Sequence, residues 1–176
     1  MAASPSGVIV FNTRYGTTRQ YAEWIKEELK LPMIDPERVD GQVLSHCDFL
    51  VIGTPVYMGK MLIADWLKDN QEFLRRSRLF FFIVCTYFSD AEKQQAMIKD
   101  NIPDGVLACC ELFFLQGRLI VDNLSSEDAL LLDIKDRLTS DRARQIHNSD
   151  PVHKSNIIPL VEAVWAYSAR EAFFPK

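Results

Sequence analysis

Four mainly apolar runs, residues 8–11, 49–52, 79–84 and 108–115, punctuate this chain. Each is short, rich in Val, Ile, Leu or Phe, and bounded by polar or turn-forming residues, the pattern of strands covered on both faces of a parallel sheet. Between them the apolar period changes to three and four. Tyr21, Ala22, Ile25 and Leu29 mark one face of a helix over residues 18–30, stopped by Pro32, with Lys26, Glu27 and Glu28 on its other side. Ile63, Trp66, Leu67 and Leu74 mark a second helix within residues 61–74. Ile157, Leu160, Val161, Val164 and Trp165 mark the last, with Pro159 in its first turn, where a missing N–H costs little.

Weaker patterns fill the gaps. Met33 and Ile34 are the apolar pair before Asp35-Pro36, so a short second strand is expected at an edge, where proline and charge are tolerated. Residues 39–46 read as a polar connection anchored by Val39, Val43 and Leu44. Residues 48–53 make the third strand and 79–84, the most apolar run, a central fourth one. Ser89 and Glu92 have capping-box spacing, which predicts a helix from Ser89 to about Asn101. The fifth strand, 108–115, closes on Gln116-Gly117. A helix from Ser125 to about Leu138 and a polar stretch over 139–155, long enough to serve as a lid, come before the last helix. Five strands alternating with helices predict an α/β, doubly wound, five-stranded parallel sheet with right-handed crossovers and helices on both faces. Residues 1–7 are expected to be disordered, and 8–176 to form one domain with an elaboration at 118–155.

Two strand ends carry the chemistry. The first strand runs into Asn12-Thr13-Arg14-Tyr15-Gly16-Thr17-Thr18, in which three threonine hydroxyls surround one glycine. Thr17 and Gln20 have capping-box spacing, so a helix is expected to start here. Uncommitted N–H groups, a positive helix end and several hydroxyls together suit a phosphate. The chain has neither G-x-x-x-x-G-K-[ST] nor G-x-G-x-x-G, which sets aside the Walker A and Rossmann phosphate loops. A hydroxyl-rich turn suits the three oxygens of a terminal phosphate monoester better than a bridging pyrophosphate. The third strand runs into Thr54-Pro55-Val56-Tyr57-Met58-Gly59-Lys60, where Tyr57 offers an aromatic face; stacking there is worth on the order of 1 kcal/mol beyond area burial.

The T-x-x-G-T-T form of the first loop and the Gly-Thr-Pro-x-Tyr-x-Gly form of the second resemble the phosphate loop and the flavin-contact loop of flavodoxins. The resemblance covers most of residues 8–117 and the last helix. It implies strand order 2-1-3-4-5, with FMN held non-covalently at the switch point between strands 1 and 3. It implies that Thr13, Arg14, Tyr15, Gly16, Thr17 and Thr18 lie at the phosphate and that Pro55, Val56, Tyr57, Met58 and Gly59 meet the ring. In the family a peptide beside the residue matching Gly59 reorients when the flavin is reduced. The loop after the fourth strand, Thr86, Tyr87 and Phe88, would close the other side of the ring, with Tyr87 or Phe88 either stacking there or packing beneath the loop. The implied function is electron transfer to a redox partner protein or a small planar acceptor. The alternatives are a flavin-dependent quinone reductase or protoporphyrinogen dehydrogenase-like oxidoreductase, and a flavin-free interaction protein on the same fold. The segment opening with Gly117-Arg118-Leu119 is similar in position to one in the flavodoxin-like protoporphyrinogen dehydrogenases that reduce menaquinone. Those enzymes carry a basic insertion there, whereas residues 124–138 here are acidic and leucine-rich.

Composition narrows the partners. At 176 residues and 48% apolar, the chain is long enough for a proper core. A net charge of −4 without clustered Lys or Arg argues against nucleic acid. No apolar run approaches the length of a membrane span and no leader pattern opens the chain, so a cytoplasmic protein is expected. Cys47, Cys85, Cys109 and Cys110 lack C-x-x-C spacing, His46, His147 and His153 fall in no ligand pattern, and no metal is expected. Cys109 and Cys110 read as two small buried side chains.

Overall fold

A computed structural model of the protein describes residues 6–39, 41–85, 90–118 and 151–173. Its strands are β1 (Gly7–Phe11), β2 (Met33–Ile34), β3 (Phe49–Tyr57), β4 (Lys60–Met61), β5 (Arg78–Cys85) and β6 (Cys110–Gln116). Five run parallel in the order β2-β1-β3-β5-β6, while β4 folds back antiparallel on β3. Counting the parallel strands alone, this is the expected order 2-1-3-4-5, with the two-residue strand at the edge. The helices are α1 (Thr17–Leu29), α2 (Gly41–Ser45), α3 (Ala64–Asp69), α4 (Gln71–Leu74), α5 (Ala91–Asn101), α6 (Asp104–Leu107) and α7 (Ile158–Phe173).

Alternation along the strands divides the core in two. Leu50, Ile52, Leu79, Phe81 and Ile83 face Leu67 of α3 and Met97 and Ile98 of α5. Phe49, Val51, Phe80, Phe82 and Val84 face Tyr21, Ala22 and Ile25 of α1 and Leu160, Val161 and Val164 of α7. Every residue from Leu79 through Cys85 is buried, as a strand with neighbours on both sides and helices on both faces requires.

Several expected details change. β1 starts at Gly7, which pairs with Phe49, and the Ser6 N–H donates to Asp48, so order begins within the stretch expected to be disordered. The third strand runs four residues past Gly53, because Val56 and Tyr57 find partners in β4. The connection over 39–46 holds α2. The second helix splits at Asn70, whose side-chain amide and backbone N–H both donate to Trp66 O and draw the chain out of the α ladder. Asp90, not Ser89, caps α5: its side chain accepts from the Lys93 N–H and pairs with the Lys93 ammonium, while Ser89 lies outside the described residues. In α7 Trp165 is half exposed rather than inward.

The extra segment lies mostly outside the described residues, including the helix expected over 125–138. Residues 151–155, expected in a polar lid, belong to the body. Val152 is buried, and Lys154 pairs with Glu27 and Glu28 on α1. The fully buried Tyr21 donates its hydroxyl to Gln116 O and accepts from Asn156 Nδ2, both at 2.9 Å, joining α1 to the end of β6 and to the chain that leads into α7.

Cys109 and Cys110 are half-buried rather than enclosed. Burial pushes the Cys110 thiol up to about 12, with Cys109 adding to the effect and Arg78 opposing it. At pH 8 such a group is a thiolate roughly one time in ten thousand, against about a quarter for an unperturbed cysteine. Timed labelling of the native protein with N-ethylmaleimide, followed by peptide mass spectrometry, is expected to find Cys110 modified about a thousandfold more slowly than in the unfolded chain. Comparable rates would remove the buried, neutral thiol.

Candidate functional site

The site forms at the carboxyl ends of β1 and β3, the boundary at which the strand order reverses direction. Beyond β1 the Asn12 N–H still donates to Gly53 O, so the loop leaves tied to β3. Thr13 Oγ1 accepts from the Gly16 N–H at 3.1 Å, closing a tight turn. Gly16 sits at φ 87°, a left-handed conformation that glycine adopts without the Cβ penalty, and it is the N-cap of α1. The expected capping box between Thr17 and Gln20 therefore does not form. Thr17 is already helical, and no side chain caps the end.

What this leaves open is chemically specific. The first helical bond runs from the Gln20 N–H to Gly16 O, so the N–H groups of Thr17, Thr18 and Arg19 have no acceptor within the helix. Thr17 is buried, and Thr18 is 1% exposed with an Oγ1 that lacks any hydrogen-bond partner among the described residues. A buried hydroxyl without a partner costs about 1–3 kcal/mol. Here it lies at a positive helix end beside free N–H donors, a donor set that fits a phosphate monoester.

The second loop is a hairpin. Val56 pairs with Met61 and Tyr57 with Lys60, and the two residues between, Met58 and Gly59, have φ 51° and φ 79°. Positive φ at both positions is the geometry of a type I′ turn, whose twist matches that of the strands it joins. Pro55, Val56 and Tyr57, expected in a loop, are thus on β3. Met58 projects at the tip, 58% exposed. Thr54, fully buried, locks the two loops together: its Oγ1 accepts from the Ile63 N–H and lies 3.2 Å from Asn12 Oδ1 and from Pro55 O, which share its one proton. A cavity of 620 Å³ lies beside the first loop on its β2 side, lined by Phe11, Asn12, Thr13 and Arg19, by residues 33–38, and by Leu62 and Trp66 just past the hairpin.

Arg14 reaches from the first loop to the hairpin. Its guanidinium lies 4.1 Å from the Tyr57 ring centroid and its Nε donates to the Tyr15 hydroxyl. The structure thus gathers Arg14, Tyr15 and Tyr57 at the hairpin and leaves Thr13, Gly16, Thr17 and Thr18 at the helix end. Thr86, Tyr87 and Phe88 lie outside the described residues; β5 ends at Cys85, one residue past the pairing of Val84 with Pro55.

Sequence reasoning missed Thr54 as a lock, and also Asn101. The Asn101 side chain is 4% exposed; its Oδ1 accepts from the Met61 N–H, and its Nδ2 donates to Gly59 O and Met97 O. In sequence it is only the last residue before Ile102-Pro103, where Asn is common at a helix end.

A family model described as a flavodoxin domain matches residues 8–142. No curated protein matches the chain. Among solved structures it is similar to the Trp repressor binding protein of Bacillus subtilis, at 17% identity over 78% of this chain and 99% of that one, TM-score 0.47. It is similar also to a flavodoxin of Streptococcus pneumoniae TIGR4, at 19% identity over 73% and 92%, TM-score 0.45. A flavoprotein of Lactobacillus acidophilus NCFM in complex with FMN matches at 14% identity over 64% and 93%, TM-score 0.45. The family match spans well over half of the sequence and takes in both strand-end loops and the five parallel strands that carry them: the chain belongs to the flavodoxin domain family.

Proposed function

We propose that this protein binds FMN non-covalently across the ends of β1 and β3 and carries electrons through it to a redox partner protein or a small planar acceptor. The observation that carries this reading is the buried, unpartnered Thr18 hydroxyl at an uncapped helix end, within one loop of an aromatic hairpin. Thr13, Gly16, Thr17 and Thr18 hold the phosphate; Pro55, Val56, Tyr57, Met58 and Gly59, with Thr86, Tyr87 and Phe88, border the ring. When bound, FMN supplies the redox chemistry, and the protein sets its orientation, access and potential. Arg14, stacked on Tyr57, brings a positive charge to the ring side and favours the negative charge that reduction adds. Among the described residues no helix is long and apolar enough to cross a membrane.

The test is a titration of purified, flavin-free protein with FMN, followed by anaerobic photoreduction in the spectrophotometer. Saturable binding and reduction in two resolved one-electron steps are the expected results. A single two-electron bleach would instead favour a dehydrogenase acting on a planar substrate, and absence of binding at excess FMN would leave the fold without this function.

A further inference from the structure

We propose that Asn101 is the positioning residue of the ring-contact hairpin, holding Tyr57 and the Met58-Gly59 turn in place from the far end of α5; this rests on the reading of that hairpin as the flavin-ring contact. The hairpin is poorly equipped to hold itself. β4 is two residues long and pairs with β3 at two positions, with one further backbone bond from the Leu62 N–H to Pro55 O, and an isolated ladder of that size is marginal. Met58 occupies left-handed backbone that a side chain disfavours. The ion pair of Lys60 with Asp65 is exposed on both sides and adds little.

Three things fix it from outside, the first being the Thr54 hydroxyl that accepts from the Ile63 N–H just past β4. Met61 is fully buried in the core. Asn101 grips both sides of the turn's exit, accepting from the Met61 N–H at 2.9 Å and donating to Gly59 O at 3.0 Å. Its remaining amide proton goes to Met97 O at 2.8 Å, one turn back on its own helix, so the side-chain amide is used at every donor and aimed. The helix does not need Asn101 as a terminator, since Ile102 closes α5 through its own N–H to Ile98 O. A side chain committed to a turn some 40 residues away therefore sets where β3 ends and how the Gly59 carbonyl points.

Aspartate at 101 would keep an acceptor for Met61 but set a carboxylate against two carbonyl oxygens; alanine would leave the Met61 N–H and the Gly59 carbonyl without these partners. The test compares the full-length wild type with Asn101→Ala and Asn101→Asp, measuring dissociation constants for FMN and for riboflavin, which lacks the phosphate. Both flavins are expected to bind about 10- to 50-fold more weakly to the variants, by the same factor, because the lost contact is at the ring, and amide exchange over 57–62 is expected to accelerate. Folded variants with unchanged flavin affinity would overturn the proposal, as would a loss confined to FMN. In the wild type without flavin, the Met61 amide, which donates to Asn101 Oδ1, is expected to be protected already; unprotected exchange there would overturn the proposal even if both variants failed to fold. Wild-type protein that binds neither flavin would overturn the reading on which the proposal rests, whereas equal binding by wild type and variants would overturn the role of Asn101 alone.

Discussion

Thr18→Glu is expected to bind FMN at least a thousandfold more weakly than the wild type while binding riboflavin within a few fold of it. A carboxylate at the Thr18 position would lie within about 4 Å of the phosphate. At an effective dielectric constant of about 20, one pair of like charges at that distance costs roughly 4 kcal/mol, which is about three orders of magnitude in affinity. The phosphate carries more than one negative charge at neutral pH, so the estimate is a lower bound. Thr17→Glu, at another buried threonine of the same turn, is expected to behave alike. Thr18→Val separates charge from hydrogen bonding: it removes only the hydroxyl, and a bond to a charged acceptor is worth about 1.5–3 kcal/mol, so roughly a 10- to 100-fold loss is expected. Fluorescence titration with the two flavins reads all of these. Equal FMN affinity in wild type and Thr18→Glu would place the phosphate elsewhere on the protein.

The second large effect is one of volume. Gly53 on β3 lies opposite Phe82 on β5, and a Cβ built on Gly53 would come 2.1 Å from the Phe82 ring, which is fully buried. The ring fills the space a side chain at 53 would need. Phe82→Ala is expected to cost about 3–5 kcal/mol through the cavity it leaves. Gly53→Val alone forces the ring or the strand aside, at about 1–3 kcal/mol. Together the two changes exchange volume across one strand pair, so the double variant is expected to be more stable than the sum of the single effects by about 0.5–3 kcal/mol. Urea denaturation of the four proteins measures this; strict additivity would mean that the two positions do not share the space. The effect extends beyond the core, because Gly53 O also accepts the Asn12 N–H that tethers the phosphate loop.

The frame was legible because its signals are local and redundant. Continuous apolar runs marked the parallel strands, and the order of strands and helices left few topologies to choose from. Details failed where a tertiary contact outweighed a local pattern. Thr17 and Gln20 have capping-box spacing, but Gly16 can take left-handed backbone, so the helix starts one residue sooner and leaves its end uncapped. The third strand was cut short at Gly53 because proline and glycine beyond it read as loop, yet Val56 and Tyr57 extend the strand by pairing with a two-residue partner too small to see in sequence. Arg14 belongs to the first loop by position, and its side chain lies over the Tyr57 ring, a contact invisible to spacing. Asn101 carried no signal, since a helix-ending Asn looks the same whether its amide faces water or a turn 40 residues away.

The Tyr21 hydroxyl, held between Gln116 and Asn156, has a consequence for how this sequence can change over evolutionary time. It brings the chain's departure at the end of β6 and its return before α7 to within the reach of one oxygen atom. The cost of closing an interval between two fixed points rises by only about 0.6 kcal/mol for each doubling of its length. With its two ends stapled, a change in the length of the interval between 118 and 151 alters the cost of closing it by little. Descendants of such a chain can therefore vary in length there at little entropic cost, while the strand ends on which the site is built stay tied to each other through Asn12 and Gly53.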